Sequence, residues 1–324
     1  MERIAFVFPG QGSQSVGMGK ILVETSPAAA AVLAEADEAL GEPLSRLAFD
    51  GPAEELDLTV NAQPALVAVS IAYLAALRER WASAGVAAPQ PAFSAGHSMG
   101  QYTAMVAAGV ISLGDAVRLV RERGVQMQAS GSGRAGAMAA IIGLDDSRLP
   151  ELIALGTPHG SLTVANRNAP GQVVISGDRA AVEAAMAGAK DLGARRGIIL
   201  PVSVAAHSAL MTEAAEGMTR VLASVSFADP KVPLLANSDA RPITTAEGAR
   251  GELIEHLTRG VDWIAAVQRM SADGVATFVE IGPGKVLTGL IKRIAPDANA
   301  IAVDEAAAPG GIAVPLNDPG TFTH

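Results

Sequence analysis

Apolar residues fall in short blocks along this chain, and their spacing predicts alternating strands and helices. Residues 4–8 (IAFVF) form an unbroken apolar run ending in Pro-Gly, the pattern of a strand buried on both faces. Alanine-rich residues 28–40 and the longer, mostly apolar stretch 62–80 (AQPALVAVSIAYLAALRER) read as helices. Helices alternating with buried strands predict a largely parallel sheet.

The segment 136–202 carries a different rhythm. AMAAIIGL reads as a strand, LPELIAL as a helix, SLTVANR and QVVISG as strands, AAVEAAMAGAK as a helix and RRGIILPV as a strand. That β-α-β-β-α-β order is ferredoxin-like and closes on itself. It predicts an inserted subdomain at 131–203, within an α/β body made of 1–130 and 204–303. In the returning body, 207–221 reads as helix, 231–237 as strand, 251–270 as helix, 277–282 as strand and 285–294 as helix. Residues 304–324 are rich in Ala, Pro and Gly without periodicity and read as a loosely held tail.

Composition narrows the function. The chain has 324 residues, enough for one large domain or two, with 49% hydrophobic residues. Aromatics make up only 3% and the formal net charge is −9, which argues against stacked bases and phosphate neutralisation, so no nucleic-acid partner is expected. There is no cysteine, which removes disulfides, zinc–thiolate sites and a thiol nucleophile together. The opening MERIAFVFPGQGSQ lacks the basic start and long apolar stretch of a secretory signal, and no run of about 18 apolar residues occurs. A soluble cytoplasmic protein without membrane association is the expectation.

The stretch 93-FSAGHSMGQYTAM-105 places Ser98 between Gly96 and Gly100, after an apolar strand-like run and before a helix-like one. This G-x-S-x-G spacing fits a nucleophile elbow, where a sharp turn lifts the hydroxyl out of the sheet; a plain glycine turn with a surface serine has the same five residues. A serine at neutral pH needs a base. Of the five histidines, His324 is in the tail, His159 is in a Pro-His-Gly loop and His97 adjoins the serine, where neighbours point apart. His207 and His256 remain, and His207 lies at a strand-to-helix junction, where open α/β sheets form ligand crevices. A histidine satisfied within a core fits that position equally well. Backbone donors for an oxyanion are available in 8-FPGQGSQ-14 and in the N–H after the serine, at Met99.

Seven ordered segments then carry a specific resemblance: FPGQGSQ, GHSMGQY at 96–102, RERGVQMQ at 121–128, GAMAAIIGL at 136–144, NAPGQVVISG at 168–177, VSVAAHSALM at 202–211 and EIGPGKVLTGL at 280–290. Together they resemble the malonyl-CoA:acyl carrier protein transacylases of type II fatty acid synthesis, relatives of the polyketide synthase acyltransferases. The resemblance implies an α/β-hydrolase-like body with a ferredoxin-like subdomain, Ser98 as acylated nucleophile, His207 as base, and Gln11 and Met99 as oxyanion-hole donors. It implies Arg123 as the ligand of the malonyl carboxylate, with Gln11, His97 and Asn168 also at the substrate. It implies malonyl-CoA and acyl carrier protein as partners, a monomer, and no metal or other cofactor.

Three positions depart from the family pattern. His256 stands where glutamine is usual and where a main-chain carbonyl orients the base; Gln101 replaces a glutamate; Asp262 replaces Gln or Arg before a tryptophan. GHSMG and VAAH resemble the malonyl-selective rather than the methylmalonyl-selective group. A serine thioesterase, a stand-alone polyketide acyltransferase and a noncatalytic carrier-binding protein are the competing readings. Because carrier proteins are acidic and so is this chain, docking would need local cations, with Arg195, Arg196, Lys285, Lys292 and Arg293 as candidates.

Overall fold

The computed structural model describes residues 3–131, 135–202 and 204–303. The predicted tail therefore lies outside the described residues. In chain order, β1 (Arg3–Phe8) leads to α1 (Lys20–Thr25), α2 (Pro27–Leu40), α3 (Leu44–Asp50), α4 (Ala53–Leu56) and α5 (Thr59–Ser83). Next come β2 (Phe93–Gly96), α6 (Gly100–Ala107) and α7 (Leu113–Gly131). The middle segment holds β3 (Gly136–Ile142), α8 (Leu149–Gly156), β4 (Leu162–Ala169), β5 (Gln172–Asp178), α9 (Arg179–Ala189) and β6 (Arg196–Ile199). The chain continues through α10 (Thr212–Leu222), β7 (Leu234–Leu235), β8 (Pro242–Ile243), α11 (Ala246–Glu255) and β9 (Val261–Asp262). It ends with α12 (Trp263–Ala272), β10 (Val275–Glu280), α13 (Val286–Ile294) and β11 (Asn299–Ala302).

Six strands form the central sheet in the order β11-β10-β1-β2-β7-β8, parallel except for β8 at one edge. β1 explains its central place. Ile4, Phe6 and Phe8 enter one apolar core while Ala5 and Val7 enter another, the two-residue alternation of a strand covered on both faces. The first core lies under α2, α5, α6, α7, α10 and α11, the second under α12 and α13. Helix α5 is long and apolar enough to cross a membrane, but 83% of its most apolar stretch is buried inside the fold. It is a core helix, apolar nearly all round because neighbours surround it.

The second sheet has the order β6-β3-β5-β4-β9. Its first four strands pair antiparallel and follow the β-α-β-β-α-β order, with α8 and α9 closing a core over Ile141, Val173 and Ile175. The fifth strand comes from outside this segment. β9 pairs parallel with Asn166 and Arg167 of β4, while the Asp262 N–H donates to the Asn237 carbonyl at 2.7 Å. Two residues thus connect the second sheet to the turn after β7.

Three expectations change. The helix expected from 207 begins only at Thr212, after a 3-10 turn at Ala209–Met211, because His207 has a left-handed backbone (φ 59°) and its N–H is tied to the Leu257 carbonyl. The strand expected over 231–237 shrinks to Leu234–Leu235, since the chain turns back at once through Ala240 (φ 54°) to pair β8 with β7. The single helix expected over 251–270 is two helices separated by a turn and β9. Gly260 marks the break: a Cβ there would come within 2.9 Å of the Val164 carbonyl oxygen, so only glycine lets the chain approach β4.

Leu66, fully buried on α5, tests this core. Leu66→Ala is expected to lower unfolding free energy by roughly 2–5 kcal/mol in denaturant titration. A loss well under 1 kcal/mol would contradict the central packing of α5.

Candidate active site

Ser98 sits on the turn between β2 and α6 with φ 51°, a left-handed conformation unusual for a non-glycine residue. The flanking glycines are steric requirements. A Cβ on Gly96 would stand 2.0 Å from the carbonyl of Gly100, and one on Gly100 would stand 2.4 Å from the Phe8 oxygen. The elbow is therefore pressed against the end of β1, and the loop after β1 packs on it: a Cβ on Gly10 would lie 2.6 Å from the His97 oxygen.

Ser98 Oγ is 2.8 Å from His207 Nε2. The other ring nitrogen, Nδ1, points at two main-chain carbonyls, His256 at 2.6 Å and Arg259 at 3.0 Å. With Nδ1–H donating, Nε2 is the free acceptor facing the hydroxyl. Burial first, and the nearby charge of Arg123 second, hold the His207 pKa down at about 4, although the two carbonyls favour the charged ring. The imidazole is thus neutral near pH 7 and able to take the serine proton.

The carbonyls exist because α11 ends at His256 and the chain loops away before β9. The His256 side chain turns elsewhere: its Nδ1 lies 3.2 Å from the Glu252 carbonyl and its ring meets Tyr102 edge-on. Substituting histidine for glutamine thus leaves the orienting acceptor in place. Gln101 is fully buried; its Oε1 accepts from the Gly96 N–H at 3.2 Å and its Nε2 donates to the Leu235 carbonyl at 2.9 Å. An amide does both, whereas an ionised carboxylate only accepts. Asp262 caps α12 through the Ala265 N–H and pairs with Arg167, 2.6 Å away.

Arg123, on α7, is 2% exposed. Its Nη1 donates to Gln63 Oε1 at 2.8 Å and its Nη2 lies 3.4 Å from Ser98 Oγ. The next residue explains its reach: a Cβ on Gly124 would be 2.8 Å from Val60 Cα, so glycine lets α7 close onto the start of α5. Nε of Arg123 is buried without a hydrogen-bond partner, and among the described residues no carboxylate lies within ion-pair distance of the guanidinium. Burial lowers its pKa from the usual value.

Gln11 reaches the same region: its Nε2 donates to Thr59 Oγ1 at 3.2 Å, and its Oε1 lies 3.5 Å from Gln63 Nε2. The Met99 side chain is buried in the core, so only its main chain, at the N-terminus of α6, can serve the site. His97 points the other way from Ser98, toward the second sheet. Its Nε2 donates to Asn168 Oδ1 at 2.8 Å, its ring meets Trp263 edge-on, and burial lowers its pKa.

The five candidate docking cations are scattered. Arg195 and Arg196 are exposed at the start of edge strand β6, Lys285 and Lys292 line a cleft of about 570 Å³, and Arg293 donates to the Pro170 carbonyl at 2.6 Å. Three supporting residues escaped sequence reasoning: Gln63, which holds Arg123; Asn237, whose Oδ1 accepts from the Ser98 N–H at 2.8 Å; and Glu252, which accepts from the Asn237 N–H at 2.7 Å. Burial pushes Glu252 up to about 7, against the Asn237 N–H and Arg241, which pull it down. Gln63 carried a signal, a polar residue at the head of the apolar run of α5; Asn237 and Glu252, with polar neighbours in sequence, carried none.

Fold and site together define an α/β protein built around an elbow serine and a neutral histidine, with an uncompensated buried arginine beside them. Residues 5–308 match the family described as "Acyl transferase domain". A "Malonyl CoA-acyl carrier protein transacylase" of Bacillus subtilis (strain 168) is 47% identical over 306 residues, which span 94% of each chain. The crystal structure of an acyl carrier protein S-malonyltransferase from Vibrio cholerae superposes with a TM-score of 0.88 at 44% identity, covering 93% of this chain and 96% of that one. A malonyl-transacylase in complex with a type II PKS acyl-carrier protein superposes with a TM-score of 0.87 at 41% identity, covering 93% and 96%. The chain belongs to the malonyl CoA-acyl carrier protein transacylase family.

Protonation of His207 offers a direct check. Its imidazole midpoint, followed by NMR, is expected near 4, and Arg123→Met should move it to higher pH by removing a positive neighbour. An unchanged midpoint would show that the guanidinium does not act on the ring.

Proposed function

We propose that this protein moves a malonyl group from coenzyme A to the phosphopantetheine thiol of an acyl carrier protein, through an ester on Ser98. His207 Nε2 accepts the Ser98 proton as Oγ attacks the thioester carbonyl, then returns it to the departing coenzyme A sulfur. The carrier thiol next gives its proton to His207 and attacks the malonyl-serine ester, and the proton passes back to Ser98 as the carrier leaves loaded. The N–H groups of Gln11 and Met99 would receive the oxyanion in both halves. Serine ester chemistry of this kind requires no metal or redox group.

The observation that carries this reading is Arg123. A buried guanidinium without a counter-charge is unfavourable in the free protein, and a carboxylate entering beside Ser98 would relieve it. Malonyl differs from acetyl by that carboxylate, so the same residue would favour the longer acyl group and leave itself unpaired with the shorter one. His97 and Asn168 would line the opposite side of the substrate.

Fatty acid biosynthesis is the pathway this reading implies, with a polyketide carrier as the alternative acceptor. Ser98, His207 and Arg123 all come from one chain, which supports action as a monomer. A coenzyme A thioester is an intracellular metabolite, which supports a cytoplasmic location.

Intact-protein mass after brief mixing with malonyl-CoA should show a malonyl adduct on the wild type and none on Ser98→Ala. The adduct should persist until a carrier thiol is added. Arg123→Ala should lose malonyl-over-acetyl preference by on the order of 100-fold, the equivalent of about 3 kcal/mol for a charged hydrogen-bonded pair. An adduct lost to water before any acceptor is supplied would replace this reading with a thioesterase.

A further inference from the structure

Helix α11 carries two residues one turn apart that reach opposite members of the reacting pair. His256, its last-turn neighbour, gives its carbonyl to His207 Nδ1. Glu252, four residues earlier and 1% exposed, reaches the other way, with Oε1 accepting from the Asn237 N–H at 2.7 Å. Its Oε2 lies 3.6 Å from Arg241. A helix packed against a sheet would ordinarily bury an apolar side chain at such a position, because an enclosed carboxyl is costly unless its donors are in place.

Asn237 converts that contact into control of the elbow. Its Oδ1 accepts from the Ser98 N–H at 2.8 Å, and its Nδ2 donates to the Gly96 carbonyl at 3.0 Å. The amide thus brackets the turn, gripping both its nucleophile and the strand residue that leads into it. Asn237 is itself held from two sides: Glu252 takes its N–H, and its carbonyl takes the Asp262 N–H at 2.7 Å. Both contacts fix the Asn237 main chain, which sets where its amide projects and so leaves Ser98 little freedom to relax from its left-handed backbone and move away from His207.

We propose that Glu252 is a positioning residue for acyl transfer, acting through Asn237 to hold the Ser98 elbow at hydrogen-bond distance from His207. Asn237 is the second positioning residue of the same chain of contacts. Neither touches the substrate. The role rests on the reading of Ser98 as the acylated nucleophile, which the wild-type malonyl adduct tests by itself before any of these variants is made.

Initial-rate kinetics with malonyl-CoA and a carrier protein separate positioning from mere packing. Glu252→Ala should lower kcat about 10- to 100-fold, the range expected when the buried Asn237 N–H is left without its acceptor and the elbow it supports is loosened, while the KM for malonyl-CoA stays within about twofold. Glu252→Gln keeps an acceptor for the Asn237 N–H and should recover kcat to within about threefold of wild type. Asn237→Ala should show the same kcat loss, and the double variant should be no slower than Asn237→Ala alone, because the two act as one unit. If Glu252→Ala does not fold, Glu252→Met fills the space without an acceptor and is compared with Glu252→Gln by the same criteria. An acceptor-free variant with wild-type kcat, a Gln variant as slow as it, or losses that multiply in the double variant would each overturn the proposal.

Discussion

Ser98 Oγ and His207 Nε2 stand 2.8 Å apart although 109 residues separate them, and each rests on a left-handed backbone that L-residues rarely adopt. Neither conformation is locally stable, so each has to be imposed from outside. For Ser98 the imposition comes from glycine contacts under the elbow and from Asn237 above it. For His207 it comes from the Leu257 carbonyl on its N–H and from two further carbonyls on its ring. Much of the body can be understood as the frame that keeps these two strained residues facing each other.

The electrostatics follow from the same crowding. Arg123, His207, His256 and Tyr102 share one buried region. Burial first, and the Arg123 charge second, depress both imidazoles, and burial pushes the Tyr102 hydroxyl up to about 12. Burial is the larger cause at each of these groups, so the poorly hydrated space favours the neutral form of every side chain there that can give up its charge. Every other group in that space is neutral near pH 7, which leaves the guanidinium as the one full charge an arriving anion meets there.

What could be read from the chain in advance was what local spacing encodes. Gly96, Ser98 and Gly100 announced the elbow because sterics at a tight turn act within five residues. The β-α-β-β-α-β order was visible because apolar period changes at each element. The break after His256 was not, since apolar periodicity runs on through it; Gly260 was its one local sign, and the sign makes sense only with β4 beside it. The roles of Gln63, Asn237 and Glu252 were invisible for a related reason. Each is a polar residue whose partner lies 15 to 139 residues away, so its role exists only once the chain has folded.

The orienting group for His207 is a peptide carbonyl, and peptide carbonyls are not inherited residue by residue. No substitution at position 256 can delete the oxygen; any side chain that lets the helix stop there presents it again. The side chain at 256 is constrained on other grounds, since it is buried against Tyr102, but the orientation of His207 does not depend on which side chain it is. A change of side chain at 256 therefore disturbs packing while leaving in place the oxygen that aims the ring.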